Sequence, residues 1–434
     1  MALRANLRGV CVVSKANELD AYRAAMREWL SANLPRRSGE ADGIPTEVAA
    51  EEVAAGRIAQ RKVYDAGYLG INVPTEYGGQ GLSNAHQQVW VDESAGYDVP
   101  LPAGIASIVT MRVVLPTLLH NAAEQQKCEW IPRVLRGEDI WVQLLSEPDA
   151  GSDLAGIRTQ ARRDGDKWIL QGTKLWSSGA IHADYGICLA RTDQNVPKHR
   201  GLTWFKVPLR DEHVTVRPVR QVNGSEEFCE EFLDNVVLGD EMVIGSVNDG
   251  WKVANSMLMF ERGAGHIDLS PSTSESRSKH ASDLVELAGN GIASRCETAR
   301  GRGSGPAIAA QRTKDWVHEV LTRRVTARLM SGAANPATSA LIKLSIGTRG
   351  PDRAIAGMQI GGRNAIAWRS PGSAGDRAAS NYVYGRQFAI AGGSNQIQRN
   401  IISERVLGLP REPSYDNEKP FKDVLRDAQK WTAG

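Results

Sequence analysis

Three short stretches of the chain set hydroxyls, an aromatic ring and glycine turns close enough together to serve a bound molecule. In Leu145-Ser146-Glu147-Pro148-Asp149-Ala150-Gly151-Ser152-Asp153 an apolar run enters a tight Pro/Gly loop rich in hydroxyls and backbone N–H groups. Such a loop can cradle an anion, although an ordinary β-turn uses the same residues. In Lys174-Leu175-Trp176-Ser177-Ser178-Gly179 an indole stands beside two hydroxyls, able to stack on a planar ring and hydrogen-bond its edge. A tryptophan there equally suits a core. In Ala391-Gly392-Gly393-Ser394-Asn395-Gln396-Ile397 two glycines and a serine precede a helix, whose free N–H groups and positive dipole end favour phosphate. Each piece alone is weak. Together, in this order and on the elements described next, they are specific.

The elements that must position these pieces follow from the hydrophobic period. Leu19, Tyr22, Met26 and Leu30 recur at helical spacing, and Val53, Ile58 and Val63 open a second amphipathic run. Helices follow over Asn84 to Ser94 and Ala103 to His120, interrupted by turns at Val73-Pro74 and Gly78-Gly79-Gln80-Gly81. From Trp141 to about Gly245 the period becomes two. Strands are expected at Trp141 to Leu145, Lys167 to Gln171, Tyr185 to Ala190, Leu202 to Val207 and Val214 to Val219, with Asp164-Gly165-Asp166 as a hairpin turn. After Gly250 helices return through Trp251 to Leu258, Trp316 to Met330, Thr338 to Leu344 and Asn395 to Leu407, the last stopping at Gly408 with Pro410 beyond. Ser270 to Ser282 and Gly301 to Gly305 read as exposed loops, and Met1 to Lys15 as a frayed lead-in. The fold class is α+β: an N-terminal helical domain (17–138), a central, mostly antiparallel β domain (139–246), a C-terminal helical bundle (247–410) and a tail (411–434).

Composition narrows the partners. The chain has 434 residues, enough for two or three domains with a large core. Its 52 Lys+Arg against 50 Asp+Glu leave +2, no field to attract nucleic acid or an anionic membrane. No apolar run approaches the ~20 residues a membrane span needs. The five cysteines (Cys11, Cys128, Cys188, Cys229, Cys296) are scattered, and the eight histidines show no ligand spacing, so a disulfide framework and a metal are not expected. A reducing, cytoplasmic setting fits.

With these pieces in this helix–sheet–helix order, the chain resembles the acyl-CoA dehydrogenase family of flavoproteins, from about Ala21 to Pro413. The resemblance rests on Val73-Pro74-Thr75-Glu76-Tyr77-Gly78-Gly79, on Ser146-Glu147-Pro148 with Gly151-Ser152-Asp153, on Lys174 to Ser178, on Ala190-Arg191-Thr192-Asp193 and on Ser394 to Pro410. It implies a C-terminal four-helix bundle and FAD between sheet and bundle at a subunit interface. It further implies that Leu145 (through its backbone), Ser146, Trp176 and Ser178 touch the flavin ring, that Ser152 meets the pyrophosphate, and that Ser394 and Gln396 contact the cofactor. The contacts that a neighbouring subunit usually supplies map poorly: Met358 stands where a Gln commonly precedes Gly361-Gly362, with Gln359 one place off, and the Arg expected near Arg300 or Arg302 has no clear match.

The reaction that the resemblance implies is α,β-dehydrogenation of an acyl-CoA thioester, a carboxylate taking the α-proton while the β-hydrogen leaves as hydride to flavin N5. Many members place that carboxylate immediately before the Gly-Thr or Gly-Ser of the third motif, where this chain has Gly392. A minority place it before an Arg on the first bundle helix, which here is Glu261-Arg262. Ala254, Met257 and Leu258 lie seven, four and three residues earlier, so Glu261 shares their apolar face, and desolvation should raise its pKa toward the range of a general base. Scaffolding by a Glu-Arg pair is the competing reading of this spot. Arg262 is expected either to steer the CoA moiety or to hold Glu261. The Gly392 N–H remains available as an oxyanion donor to the thioester oxygen.

Three functions fit these residues: an acyl-CoA dehydrogenase using Glu261, a non-catalytic or half-site subunit of a hetero-oligomeric acyl-CoA dehydrogenase, and an oxygen-using monooxygenase on the same fold. The resemblance implies electron-transfer flavoprotein as acceptor and a homodimer, homotetramer or hetero-oligomer. The relocated carboxylate suggests a pocket for a branched or bulky acyl chain.

Overall fold

A computed structural model describes residues 3–36, 48–264, 284–288, 300–367 and 372–432. The N-terminal layer is helical: α1 (Leu3–Asn33), α2 (Ala50–Asp65), α3 (Asn84–Glu93), α4 (Ile105–Val109), α5 (Leu115–Asn121) and α6 (Glu124–Leu135). Met26 and Leu30 of α1 are wholly buried with Trp90, Leu115 and Ile131, as their spacing predicts. The expected lead-in is corrected, since Leu3 to Lys15 form the first turns of α1. Helical propagation adds one hydrogen bond per residue and carries the helix upstream of its packed half. A π-helical turn, Thr110–Val114, joins α4 to α5. There Thr110 Oγ1 donates to Trp141 O (2.7 Å) and accepts from Trp141 N (2.8 Å), clamping the helical layer to the first strand.

The central domain is one eight-stranded sheet: β1 (Trp141–Leu144), β2 (Gln160–Asp164), β3 (Lys167–Ser178), β4 (Tyr185–Arg191), β5 (Leu202–Pro208), β6 (Val214–Val219), β7 (Phe228–Gly239) and β8 (Val243–Ile244). The order is β6-β7-β3-β2-β4-β5-β8, with β1 paired to β4. It is antiparallel except where β1 and β2 run parallel to β4. The Asp164-Gly165-Asp166 hairpin is present, pairing Asp164 with Lys167. Three strands escape a reading by apolar alternation, β2, β7 and the two-residue β8. β2 carries the exposed side chains of Arg162, Arg163 and Asp164, and β7 places Glu230 and Glu231 within the strand. β3 runs seven residues beyond the expected Gln171, with a register shift between Leu175 and Ser177.

The bundle comprises α7 (Gly250–Met259), α8 (Arg300–Met330), α9 (Ser339–Gly361), α10 (Ala374–Tyr384) and α11 (Asn395–Ile401). Gly301 to Gly305 belong to α8 rather than to a loop. Glycine in a helix costs about 1 kcal/mol against alanine, which a long continuing helix absorbs. Ser270 to Ser282 lie outside the described residues. The segment after Pro410 ends in α12 (Phe421–Thr432), whose first residue is buried against the sheet. No helix among the described residues is long and apolar enough to cross a membrane.

Where the loop at 145–153 meets the sheet, three ionisable side chains, Lys174, Glu147 and Glu231, are buried. Lys174, wholly buried, donates to Leu145 O (3.1 Å) and Glu147 Oε1 (2.8 Å). Glu147 also accepts from the N–H groups of Arg158 (2.5 Å) and Thr159 (3.0 Å). Burial alone would raise its pKa, but Lys174 and these donors hold it below the ordinary carboxylate range. Glu231, opposite Lys174 in the β3–β7 register, accepts only from Ser177 Oγ (3.0 Å), and its Oε1 has no partner. One cation cannot satisfy two buried carboxylates, and burial pushes Glu231 up to about 8.

Glu231 therefore keeps its proton in the folded protein, where the unfolded chain releases it near 4.5. The folded state binds more protons between these values, so stability declines as pH rises from about 4.5 to about 8. Glu231→Gln retains the acceptor for Ser177 and removes the titration. Its urea midpoint should equal that of the parent below pH 4.5 and exceed it increasingly up to pH 8, each pH unit of displaced pKa contributing about 1.4 kcal/mol. A pH-independent difference would show Glu231 to be ionised.

Candidate active site

Strand β1 delivers the first side of the site. Trp141, Val142 and Leu144 are buried, and the chain leaves β1 through the half-buried Leu145 and Ser146. Ser146 O accepts from Leu175 N (2.9 Å), which sets this exit beside the last turn of β3. The register shift at Leu175/Ser177 is a β-bulge that throws Trp176 into the left-handed region (φ 71°). A bulky aromatic residue rarely adopts this conformation, and such backbone strain gathers at functional sites. Trp176 is 53% exposed, and its ring meets Phe228 edge-on at 5.8 Å. Ser178, half-buried, ends β3 two residues on. Leu145, Ser146, Trp176 and Ser178 are thus brought together where β1 leaves the sheet beside the end of β3. Ser152 lies on an exposed loop farther along.

The second side comes from the bundle. α7 passes into a π-helical turn, Phe260–Ala264, that carries Glu261 and Arg262. π turns insert one residue into the helical period and recur at functional sites. Burial raises the Glu261 pKa, while Arg262, the Gln143 amide and Lys343 pull it back. Gln143 lies two residues before Leu145, on the same face of its strand, and connects the two sides; its Nε2 has no partner at hydrogen-bonding geometry. Arg262 is lowered by burial, against Glu261, and its Nε has no hydrogen-bond partner among the described residues.

Gly392 closes the site. Its φ is 65°, and a methyl group placed on it would come within 3.0 Å of Glu261 Oε1 and 3.1 Å of Lys343 Cε. The Glu261 carboxylate and the Lys343 stem therefore occupy the space that a side chain at 392 would need. The buried Gln398 donates to both Gly392 O (3.0 Å) and Gly393 O (3.1 Å), fixing the turn by its carbonyls. Among the described residues no backbone carbonyl accepts from the Gly392 N–H. Ser394 caps α11, its Oγ accepting from Ile397 N (3.3 Å), and Gln396 is exposed on the first turn. Lys343 Nζ donates to Phe388 O (2.7 Å), which anchors it beside Glu261.

Lys343 and Gln143 escape sequence reasoning. Lys343 sits on an ordinary helical stretch of α9 and Gln143 in a strand, and no local motif marks either. Only the approach of three elements far apart in sequence brings them to one carboxylate.

Comparison with known proteins agrees with this architecture. Residues 16–138, 143–236 and 308–407 match the family models for the N-terminal, middle and C-terminal domains of acyl-CoA dehydrogenase. Acyl-CoA dehydrogenase IpdE1 of Mycobacterium tuberculosis is 33% identical over 398 residues, which cover 91% of this chain and 99% of the relative. Among solved structures, the Tcur3481-Tcur3483 steroid ACAD aligns with a TM-score of 0.69 at 26% identity, over 91% of this chain and 98% of that one. The ChsE4-ChsE5 complex from Mycobacterium tuberculosis aligns with a TM-score of 0.67 at 25% identity, over the same shares. A helical layer, a β-sheet and a helix bundle, matched domain by domain and across nine-tenths of the chain, make this protein a member of the acyl-CoA dehydrogenase family.

Proposed function

We propose that this chain is the base-bearing half of a hetero-oligomeric, FAD-dependent acyl-CoA dehydrogenase. The observation that carries the reading is the Glu261 carboxylate filling the space above Gly392. A base at 261 does the work that a side chain at 392 would otherwise do, and burial raises its affinity for the α-proton. Gly392 contributes its backbone N–H to the thioester oxygen, stabilising the charge that develops there as the proton leaves. Arg262, with its unpartnered Nε, holds Glu261 on one side and faces the CoA portion on the other.

The residues present fit a flavin: an exposed indole held on a bulge, two hydroxyls where β1 leaves the sheet beside the end of β3, and the buried Gln143 Nε2 without a hydrogen-bond partner two residues before Leu145. Leu145, Ser146, Trp176 and Ser178 would hold its ring, Ser152 its pyrophosphate, and Ser394 and Gln396 the part beside the bundle. FAD supplies the two-electron acceptor that no side chain can provide.

Two features support a partner of different sequence. The Tcur3481-Tcur3483 protein and the ChsE4-ChsE5 complex are each named as a pair of chains. The chain's own Met358 and Gln359, ahead of Gly361-Gly362, do not offer the expected cross-subunit contact. The substrate is accordingly an acyl-CoA with a bulky acyl group, in keeping with the steroid ACAD, and electron-transfer flavoprotein is the acceptor.

Purified alone, the chain should be colourless or fail to bleach with acyl-CoA; a yellow, active homo-oligomer would overturn the half-site reading. In the active assembly Glu261→Gln should retain flavin and lower substrate-dependent bleaching by roughly 10²–10⁴-fold. Full turnover in that variant would remove Glu261 from the reaction. The base must be ionised, and Lys343 is one of the groups opposing its raised pKa. Lys343→Met should therefore move the acidic limb of the kcat/KM profile to higher pH without releasing flavin. An unshifted limb would show that the ammonium does not act on Glu261.

A further inference from the structure

The chain beyond the bundle is built into the central domain. Phe421 N donates to Val196 O (2.9 Å), Lys422 N to Gln194 O (3.0 Å), and Pro420 bridges Pro197, so the tail adds a short strand-like rung to the loop after β4. Lys422 Nζ donates to Asn195 Oδ1 (2.7 Å) on the same loop. Phe421 is 2% exposed and lies under the Arg191 guanidinium, 3.6 Å from its ring centroid. Arg191 is itself buried. It donates to Ala155 O (2.5 Å), Ile157 O (3.2 Å) and Lys198 O (3.2 Å), with no carboxylate in direct contact. Backbone carbonyls and the Phe421 ring are thus the immediate solvation of a buried cation.

A second line of contacts runs in parallel. Lys198 is buried, and its Nζ donates to Asp153 Oδ2 (3.0 Å) and to Asp416 Oδ2 (2.6 Å). Asp416 is in turn fixed by Ser414 Oγ (2.6 Å). Both lines end on residues 153–157, the segment that follows Ser152.

We propose that residues 411–432 form a strap that positions the Ser152–Asp153 loop for the pyrophosphate of the cofactor, with Lys198 and Arg191 as the positioning residues through which Asp416 and Phe421 act. The inference rests on the proposed role of Ser152. Geometry and charge make opposite predictions here, which gives the idea a sign. Asp416 adds negative charge near an anion site, so if it acted through charge alone its removal would tighten pyrophosphate binding. As a strap it holds Lys198, and its removal loosens the loop and weakens binding.

The test uses the full chain in its active assembly, with Asp416→Asn, Phe421→Ala and the conservative Asp416→Glu. Hydrogen exchange is followed at residues 151–159, and FAD affinity by flavin fluorescence. Asp416→Asn and Phe421→Ala should speed exchange at 151–159, leave exchange around Glu261 unchanged, and weaken FAD affinity by about tenfold, the scale of one lost charge-assisted hydrogen bond. Asp416→Glu should restore both readouts, and kcat at saturating FAD should be unaltered. Tighter or unchanged FAD binding, or faster exchange spread across the bundle, would overturn the strap. Exchange reports on the loop with or without flavin. A colourless preparation, which concerns the hetero-oligomer reading, therefore leaves the strap testable.

Discussion

The site depends on a steric exchange between one carboxylate and one missing side chain. Glu261 can lie over the Gly-Gly turn only because residue 392 has no Cβ; any larger residue would press on Glu261 Oε1 and the Lys343 stem at about contact-limit distances of 3.0 and 3.1 Å. Glycine serves a second need there, since φ is 65° and side chains resist that conformation. Conversely, Gly392 would leave an unfilled gap without Glu261. Glu261 lies on the π turn after α7 and Gly392 in the turn before α11, so the bundle's packing is what makes the exchange possible. The π turn at Phe260–Ala264 packs near the equivalent turn at Thr110–Val114, where the N-terminal layer meets the bundle.

The opposite wall is rigid for a different reason. Lys174 ties β3 to the exit of β1 through Leu145 O and Glu147, which fixes residues 145–146 beside residues 176–178. A buried cation shared between the loop and the strand fixes geometry more than it stabilises, because desolvation offsets most of the Coulombic gain. The proton retained by Glu231 lets this arrangement carry one cation and one anion rather than an uncompensated second carboxylate. The strained Trp176 is tolerated on this base.

Much of the fold was legible in the sequence because burial follows periodicity. The α1 stripe of Met26 and Leu30, the hairpin at Asp164–Asp166 and the stop at Gly408, which follows the π turn Ile402–Val406 that extends α11, each rest on a local rule. Strands β2 and β7 were missed because their charges point to solvent or into an ion cluster, which masks the apolar alternation. The glycines at 301–305 misled because composition marks a loop where a long helix simply continues. Among the candidate site residues, Glu261 and Gly392 were singled out through the resemblance, and the structure sets the Glu261 carboxylate beside Gly392. Lys343 and Gln143 were not legible, since charge partners drawn from α9 and β1 leave no trace in local spacing. The positive φ of Trp176 was likewise hidden, because the bulge is a property of strand pairing.

An exposed, strained aromatic ring carries a consequence for assembly. The left-handed conformation costs Trp176 about 1–2 kcal/mol, and about half of the residue's surface remains in water. Neither is recovered within the chain, whose nearest aromatic contact is the edge of Phe228. A planar ligand that stacks on the indole would bury this surface and be paid in advance for the strain, because the ring is already turned outward. Any molecule that binds the folded state and not the unfolded one stabilises it by mass action. The folded chain and its ligand are therefore coupled through one side chain. If the same ligand reaches Ser152–Asp153 as proposed, the tether from Lys198 and Asp416 lowers the ordering that it must impose at that end.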